Sequence, residues 1–447
     1  MAAEESLPSG RLEGLAERFG GGSFLRAAAV LQVGSLGLTS VGFLASVLLA
    51  RTLGPNAYGI YSLVISIGTT IGLLRRLGQD YAATTHLAEG HVAGDPRAVR
   101  NALVFYVFLS VLTSVVVLPA AIVLAPWIGE RYSGDPQFGL LLQLFLVQGF
   151  WAVVPGWTVI ALQASRRLGP LVKFENVTNL IAYSVPVALA LGGLGVIGVF
   201  WGQVVASLIG LGLGFAVYSR LRVADPLLPS TGHLLLGAIR PAMPLWAEIK
   251  FGLSIAFDKN LVSLYNLVPV LLLGLFAPVA EVGLLRVAIG YMAIPAVLLS
   301  PISRLLMVDL PQLRVKAPDQ LRAFFLRVTL LGGLASAVLA TPFALASWLA
   351  VPLLYGELFA AAAPLSLALL LDAATLGLGI ASGPVFRTYS RTDLPIRASL
   401  AILCVGLPVS VMIIQAWGSL GAALAYGGMM LALRLVTYAQ CLWVIRR

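Results

Sequence analysis

Val47-Leu-Leu-Ala-Arg51-Thr-Leu-Gly54-Pro55 runs on into Tyr58-Gly59, and it has a counterpart about 223 residues further along: Val270-Leu-Leu-Leu-Gly274-Leu-Phe-Ala-Pro278, running into Val282-Gly283. A second pair stands at the same displacement. Gly195-Val-Ile-Gly198 is answered by Gly418-Ser-Leu-Gly421, and each opens a long apolar segment. Two matches at one offset mark a repeat of about half the chain. In so apolar a sequence, paired halves point to a transporter built from two lobes around a central site, one lobe rocking against the other.

Hydrophobic residues make up 59% of the 447 and charged residues 11%, against about 25% charged in soluble domains. Mean hydropathy is +0.95. A water-soluble globule is excluded. About twelve apolar runs each approach the roughly 20 residues that a helix needs to cross the hydrocarbon core. They cover 27–50, 58–78, 101–125, 138–162, 172–193 and 196–218, then 251–276, 283–303, 323–349, 361–385, 398–416 and 420–444. The alternation of a barrel strand is absent. Backbone groups in lipid must be satisfied within the segment, so the expected fold is an all-α polytopic membrane protein.

The first 26 residues carry Glu4, Glu5, Arg11, Glu13, Glu17 and Arg18 and lack the basic start and apolar middle of a signal peptide. Cys404 and Cys441 both fall in apolar runs and build no disulfide framework. The net charge of +10 would suit nucleic acid, but its distribution assigns it to topology. Arg and Lys crowd every second connection: Arg75, Arg76, Arg97 and Arg100; Arg166, Arg167 and Lys173; Arg220, Arg222 and Arg240; Arg314, Lys316 and Arg322; Arg387, Arg391 and Arg397; Arg446 and Arg447. This positive-inside pattern places both termini in the cytoplasm, with an even number of spans in the inner (plasma) membrane. The expected division is a cytoplasmic tail, 1–26, a first lobe of six spans, 27–220, a cytoplasmic linker, 221–245, and a second lobe of six, 246–447. Short connections on the outer side leave no room there for a catalytic domain, and no Walker sequence is present. No enzyme activity is expected.

The string Leu48-Leu49-Ala50-Arg51-Thr52-Leu53-Gly54-Pro55, followed by Tyr58-Gly59-Ile60-Tyr61, resembles the opening signature of the polysaccharide transporter, or Wzx-type oligosaccharide flippase, family. That family lies in the MOP superfamily with the MATE antiporters and the lipid II flippase. Glu281-Val282-Gly283-Leu284 leading to Pro301-Ile302-Ser303-Arg304, Leu354-Tyr355-Gly356-Glu357 with Ala361 to Pro364, and Gly418-Ser-Leu-Gly421-Ala422-Ala423 resemble later stretches of the family in the right order. The resemblance implies two pseudo-symmetric six-helix lobes around a central cavity and movement of a polyprenyl-diphosphate-linked oligosaccharide between leaflets by alternating access. It also implies contact with membrane lipids and with glycan assembly machinery, a monomer, and neither a cofactor nor nucleic acid. Where many relatives carry an acidic residue before the Leu-Leu-Gly step of the seventh helix, this chain has Pro269. Coupling to a proton or sodium gradient is left open.

Carrying a sugar diphosphate through hydrocarbon requires basic and hydroxyl groups along one face of certain helices. In the first span Gln32, Ser35, Thr39, Gly42 and Ser46 fall in a narrow arc at about 100° per residue. The seventh span, its repeat counterpart, places Ser254, Asp258, Lys259, Ser263, Tyr265 and Asn266 on one half. Ser and Thr in such arcs also serve as glue between helices; Asp258 and Lys259 suit that less, charge being costly in a membrane. The expected substrate contacts are Lys259, Arg286, Arg75, Arg76, Gln32, Thr39 and Asn266, with Asp258 and Asp372 as ion-coupling residues. Arg286 has a snorkelling alternative and Arg75 and Arg76 a topological one. Asp372, mid-way along the tenth span, either binds a coupling proton or pairs with an arginine; Arg434, deep in the twelfth, needs a partner or water. No metal site is expected, because His86, His91 and His233 are dispersed. The runner-up function is a MATE-like drug or cation antiporter, which would want an acidic cavity; a membrane glycan polymerase stands third, since it needs a large outer loop.

Overall fold

A computed structural model describes residues 21–237, 245–316, 318–391 and 393–446. Those residues form an all-helical bundle with no strand among them. The tail 1–20 and residues 238–244 of the expected linker lie outside the described residues.

Among the described residues, six continuous helical stretches are long and apolar enough to cross a membrane. Three of the six are hairpins folded at glycine and cross twice. The first, α1 (Gly21–Arg75), breaks at Gly54 (φ 71°, ψ 173°). Ser46 and Tyr58 flank the break, and an unbroken helix would set them about 18 Å apart along its axis. Their hydroxyls are instead 2.7 Å apart, so the chain turns back on itself. The elements that follow are α2 (Gln79–Val92), α3 (Pro96–Ser133), the short pair α4 (Pro136–Val147) and α5 (Val153–Ala164), α6 (Leu168–Leu189), α7 (Gly195–Ala224) and α8 (Thr231–Gly237). In the second half come α9 (Leu245–Phe276), α10 (Val279–Met292), α11 (Ile294–Lys316) and α12 (Pro318–Tyr355). Three short pieces succeed them, α13 (Ala363–Ala368), α14 (Leu370–Ala373) and α15 (Ser382–Thr388), and then the long α16 (Asp393–Arg446). The three hairpins counted twice, the three remaining long helices, and crossings by α4 with α5, by α9 and by the α13–α15 series bring the described spans to twelve.

Backbone geometry carries the repeat. The α6–α7 hairpin turns at Gly195 with φ 56° and ψ −144°, and α16 turns at Gly418 with φ 54° and ψ −131°. A Cβ disfavours that combination, which explains why the two positions 223 residues apart are both glycine. The fourth and tenth spans are also broken at matching places, between Val147 and Val153 and through Leu369–Thr375.

The apolar core is distributed unevenly along the bundle. One cluster draws on both sequence halves, Leu49, Leu63, Leu142 and Phe200 packing with Leu273, Leu285, Tyr355 and Ala422. It surrounds the turns at Gly54, Gly134, Gly195, Ala277, Gly356 and Gly418. Around the opposite turns the cores are separate: Leu103, Trp157, Tyr218 and Leu234 in the first half, Leu306, Phe325, Phe386 and Cys441 in the second. The halves are thus joined at the Gly54 end and part toward the end that carries the basic connections. There α9 reaches across: Gly252 meets the Gly78 backbone, and Asn260 Nδ2 donates to the carbonyls of Leu73 and Arg76 at 3.3 Å each. Those carbonyls lie in the last turn of α1 and just past its end, where a helix leaves acceptors unfilled. At the same end His91 is partly buried and holds Asp225 at 2.7 Å.

Candidate functional site: an arginine-lined cavity between the halves

A cavity of about 1380 Å³ lies beneath the shared core. Both arms of α1 form much of its wall. Thr39, Gly42 and Ser46 line it from the first arm, as their common helical face requires, and Tyr58, Tyr61, Ser62 and Thr69 line it from the second. The broken span contributes Gln148 and Trp151, α6 Thr178, Asn179 and Tyr183, α7 Gln203 and Ser207, and α10 Arg286 with Ile289. Arg75 and Arg76 close the wall where α1 ends. Three arginines face this space, and among the described residues that line it there is no Asp or Glu.

Each arginine is placed differently. Arg76 is exposed. Arg75 is half-buried and donates from Nη1 to Ser114 Oγ at 3.2 Å and to the Gly149 carbonyl. Gly149 stands in the gap between α4 and α5, where the helical acceptor ladder is interrupted, so Arg75 satisfies a carbonyl that lipid could not. Trp151 fixes the same gap from the other side, donating to Ser207 Oγ at 2.9 Å. Arg286 is half-buried on α10 and makes no hydrogen bond or ion pair among the described residues. Its charge acts on the hydroxyls of Tyr58, Tyr61 and Tyr426. It stands higher in the cavity than Arg75 and Arg76, so the wall offers cationic stations at two levels.

The other sequence-expected residues fall elsewhere. Asn266 is not among the lining residues; Tyr426 donates to its Oδ1 at 2.9 Å, and its own amide donates to the Val262 carbonyl at 3.1 Å. Gln32, Asp258 and Lys259 lie on α1 and α9, and their side chains are outside the described residues. Of the two roles open to Asp372, the structure shows pairing: Arg434 Nη2 lies 2.6 Å from Asp372 Oδ1. Arg434 Nη1 also donates to the Asp372 carbonyl and to Thr375 Oγ1, the latter at 2.7 Å. Gly149 and Asp372 are 223 residues apart. Each half therefore pins its broken span by an arginine on the equivalent carbonyl, although the two arginines come from non-equivalent helices.

Sequence reasoning missed the lining from α6 and α7. Its signal is present: Gln203, Ser207 and Gly210 at i, i+4 and i+7 share a face, as do Asn179, Tyr183 and Pro186. Isolated polar residues in so apolar a run were outweighed by the charged arc of the seventh span.

A bundle of broken and hinged membrane helices, parted at one end around an arginine-lined cavity, defines a multi-pass membrane protein with the architecture that transporters use. The model of the polysaccharide biosynthesis protein family matches residues 24–306, and the chain belongs to that family. No curated protein sequence matches it. Its fold is similar to that of an inward-facing multidrug resistance MATE family transporter of the MOP superfamily, at 12% identity over 93% of this chain and 98% of that one, with a TM-score of 0.73. It is also similar to the lipid II flippase MurJ in an inward closed conformation, at 13% identity over 91% and 86% with a TM-score of 0.68. The eukaryotic MATE transporter AtDTX14 matches at 15% identity over 92% and 98%, with a TM-score of 0.56. These neighbours are transporters and flippases rather than enzymes.

Proposed function

We propose that this chain is a flippase that carries a polyprenyl-diphosphate-linked oligosaccharide from the cytoplasmic to the outer leaflet by alternating access. The product would feed assembly of a cell-surface polysaccharide of the O-antigen or lipopolysaccharide kind. Arg286 carries the reading: a guanidinium on the cavity wall that, among the described residues, has neither a carboxylate beside it in the lining nor an ionic partner. A charge held at such depth is costly unless something compensates it, and a diphosphate supplies that compensation when cargo is bound. Arg75 and Arg76 would receive the diphosphate at the parted end, and Arg286 would hold it further in. Lys259, Gln32 and Thr39 belong to the same proposal as contacts along the path, with Asp258 as a coupling residue, while Asn266 is engaged by Tyr426 and Asp372 by Arg434. A MATE-like exchanger of drugs or cations is disfavoured because three arginines and, among the described lining residues, no carboxylate face the cavity. A glycan polymerase would need an outer domain for its chemistry.

The test is flipping of a fluorescent polyprenyl-diphosphate glycan by the full chain in proteoliposomes. A desolvated charge-assisted contact contributes about 1.5–3 kcal/mol, so Arg286→Ala should slow flipping roughly 10- to 100-fold. Arg286→Lys should retain part of the rate, and thermal stability in detergent should hold, since no protein partner is lost. Flipping by Arg286→Ala at the native rate would remove the main support for an anionic cargo.

Orientation has its own test. Reporter fusions at Arg97, Arg166, Arg314 and Arg391 are all expected to read cytoplasmic, because these residues lie in the basic connections. An outward signal at any of them breaks the assignment of the parted end to the inside.

A further inference from the structure

A second cavity of about 780 Å³ opens beside the first and lies wholly within the first half. The two share Arg75, Arg76, Ala152 and Pro155, so the arginine pair stands at the neck between them. The chemistry changes across that neck. The central cavity has no carboxylate among its described lining residues, whereas the side cavity has Asp80 on α2 and Glu175 on α6. Neither carboxylate has a hydrogen bond or an ion pair among the described residues. Gln79, Gln163 and the ring of Tyr106 complete its polar wall. Tyr106 is held in place, for a Cβ on Gly156 would fall 1.8 Å from its hydroxyl oxygen.

We propose that this side cavity is a glycan subsite, taking the first one or two sugars of the cargo while Arg75 and Arg76 hold the diphosphate. The assignment rests on the flippase reading. In a lipid-linked sugar the diphosphate adjoins a polyhydroxyl group, and the cavities present the complementary order: a cationic neck, then a chamber that carries carboxylates and side-chain amides. A carboxylate accepts hydrogen bonds from two neighbouring hydroxyls at once, a side-chain amide donates and accepts, and a tyrosine ring offers an apolar face. The volume lies in the range of about 300–1,000 Å³ that small-molecule sites occupy, well beyond the oxygen shell of a single cation. Two unpaired carboxylates repel uronic acids and sulfated sugars. The class selected is therefore a neutral or amine-bearing hexose.

Binding by the purified full chain, read by tryptophan quenching, tests this with three probes: farnesyl diphosphate, and the same lipid bearing one N-acetylhexosamine or one galactose. The native protein should bind at least one sugar-bearing probe roughly tenfold more tightly than the bare diphosphate, the margin expected of a hydrogen bond to a charged group. Combining Asp80→Asn with Glu175→Gln, both nearly isosteric, should erase that margin and leave affinity for farnesyl diphosphate within about twofold of native. An intact margin in the double variant, or an equal loss on all three probes, overturns the subsite. Loss of sodium or proton dependence with the margin intact would make this a cation site instead. If the native chain binds farnesyl diphosphate but shows no sugar margin, the subsite alone fails. If it binds none of the three, the flippase reading fails with it.

Discussion

Arg434→Leu is expected to cost about 3–5 kcal/mol of stability, the usual penalty for breaking a buried ion pair from one side. Arg434 and Asp372 are only 13% and 19% exposed, so solvent screens the pair little. The guanidinium also holds the Asp372 carbonyl and the Thr375 hydroxyl where the tenth span is not continuous helix. Its loss strands a carboxylate at membrane depth, where no water takes the place of the guanidinium. The measurement is the thermal midpoint of the full chain in detergent, which should fall clearly below native. Arg434→Leu combined with Asp372→Leu should recover much of the loss, because replacing both partners by apolar groups removes the uncompensated charge. Should the single variant melt with the native protein, the pair is not what holds the span. Recovery by the double variant separates an electrostatic pin from a packing effect of the arginine stem.

The pairing shows why some of this molecule was legible in its sequence and some was not. Helical periodicity is a local property. Thr39, Gly42 and Ser46 announced a cavity face because their spacing does not depend on what the rest of the chain does. Arg286 stood out because a cation within an apolar run has few bland explanations. The repeat was legible at Gly195 and Gly418 because a backbone turn that excludes Cβ leaves glycine in both copies. The breaks in the fourth and tenth spans were not legible. Gly149 is one of 46 glycines, and the runs 138–162 and 361–385 read as uninterrupted helices because their interruptions are satisfied from outside, by Arg75, Trp151 and Ser207 in one half and by Arg434 and Ser336 in the other. Asp80 and Glu175 are separated by 95 positions and meet at one cavity only through tertiary packing. Asn266 sat on the expected arc of α9, but Tyr426 engages it from α16.

Gly59→Val and Gly283→Val are each expected to reduce transport roughly 5- to 100-fold without unfolding the protein. At the joined end the halves meet backbone to backbone. A Cβ on Gly59 would lie 2.0 Å from the Val279 carbonyl oxygen, and one on Gly283 would lie 2.2 Å from that of Pro55. Neither neighbour is a side chain that can swing aside, so α1 and α10 must separate to admit any larger residue. Overpacking of this kind costs about 1–3 kcal/mol, and each 1.4 kcal/mol shifts a two-state equilibrium roughly tenfold. The shift should favour the state open at the Gly54 end. The aromatic contacts bridging the halves there, Tyr58 with Phe359 at 6.1 Å and Phe43 with Tyr355 at 6.3 Å, would part together. Each half keeps a separate core at the far end, so the fold should survive. Ser62, buried at 1% exposure on the cavity wall, reports the outcome directly. As Ser62→Cys it should resist a membrane-impermeant maleimide applied from outside in the native background and react once Gly59→Val is added. Continued protection together with native transport would mean that the glycine contact does not set the closed state, and a structural role alone would lower expression without exposing Ser62. Exposure with lost transport is the signature of a gate, because a carrier that cannot close at one end cannot alternate.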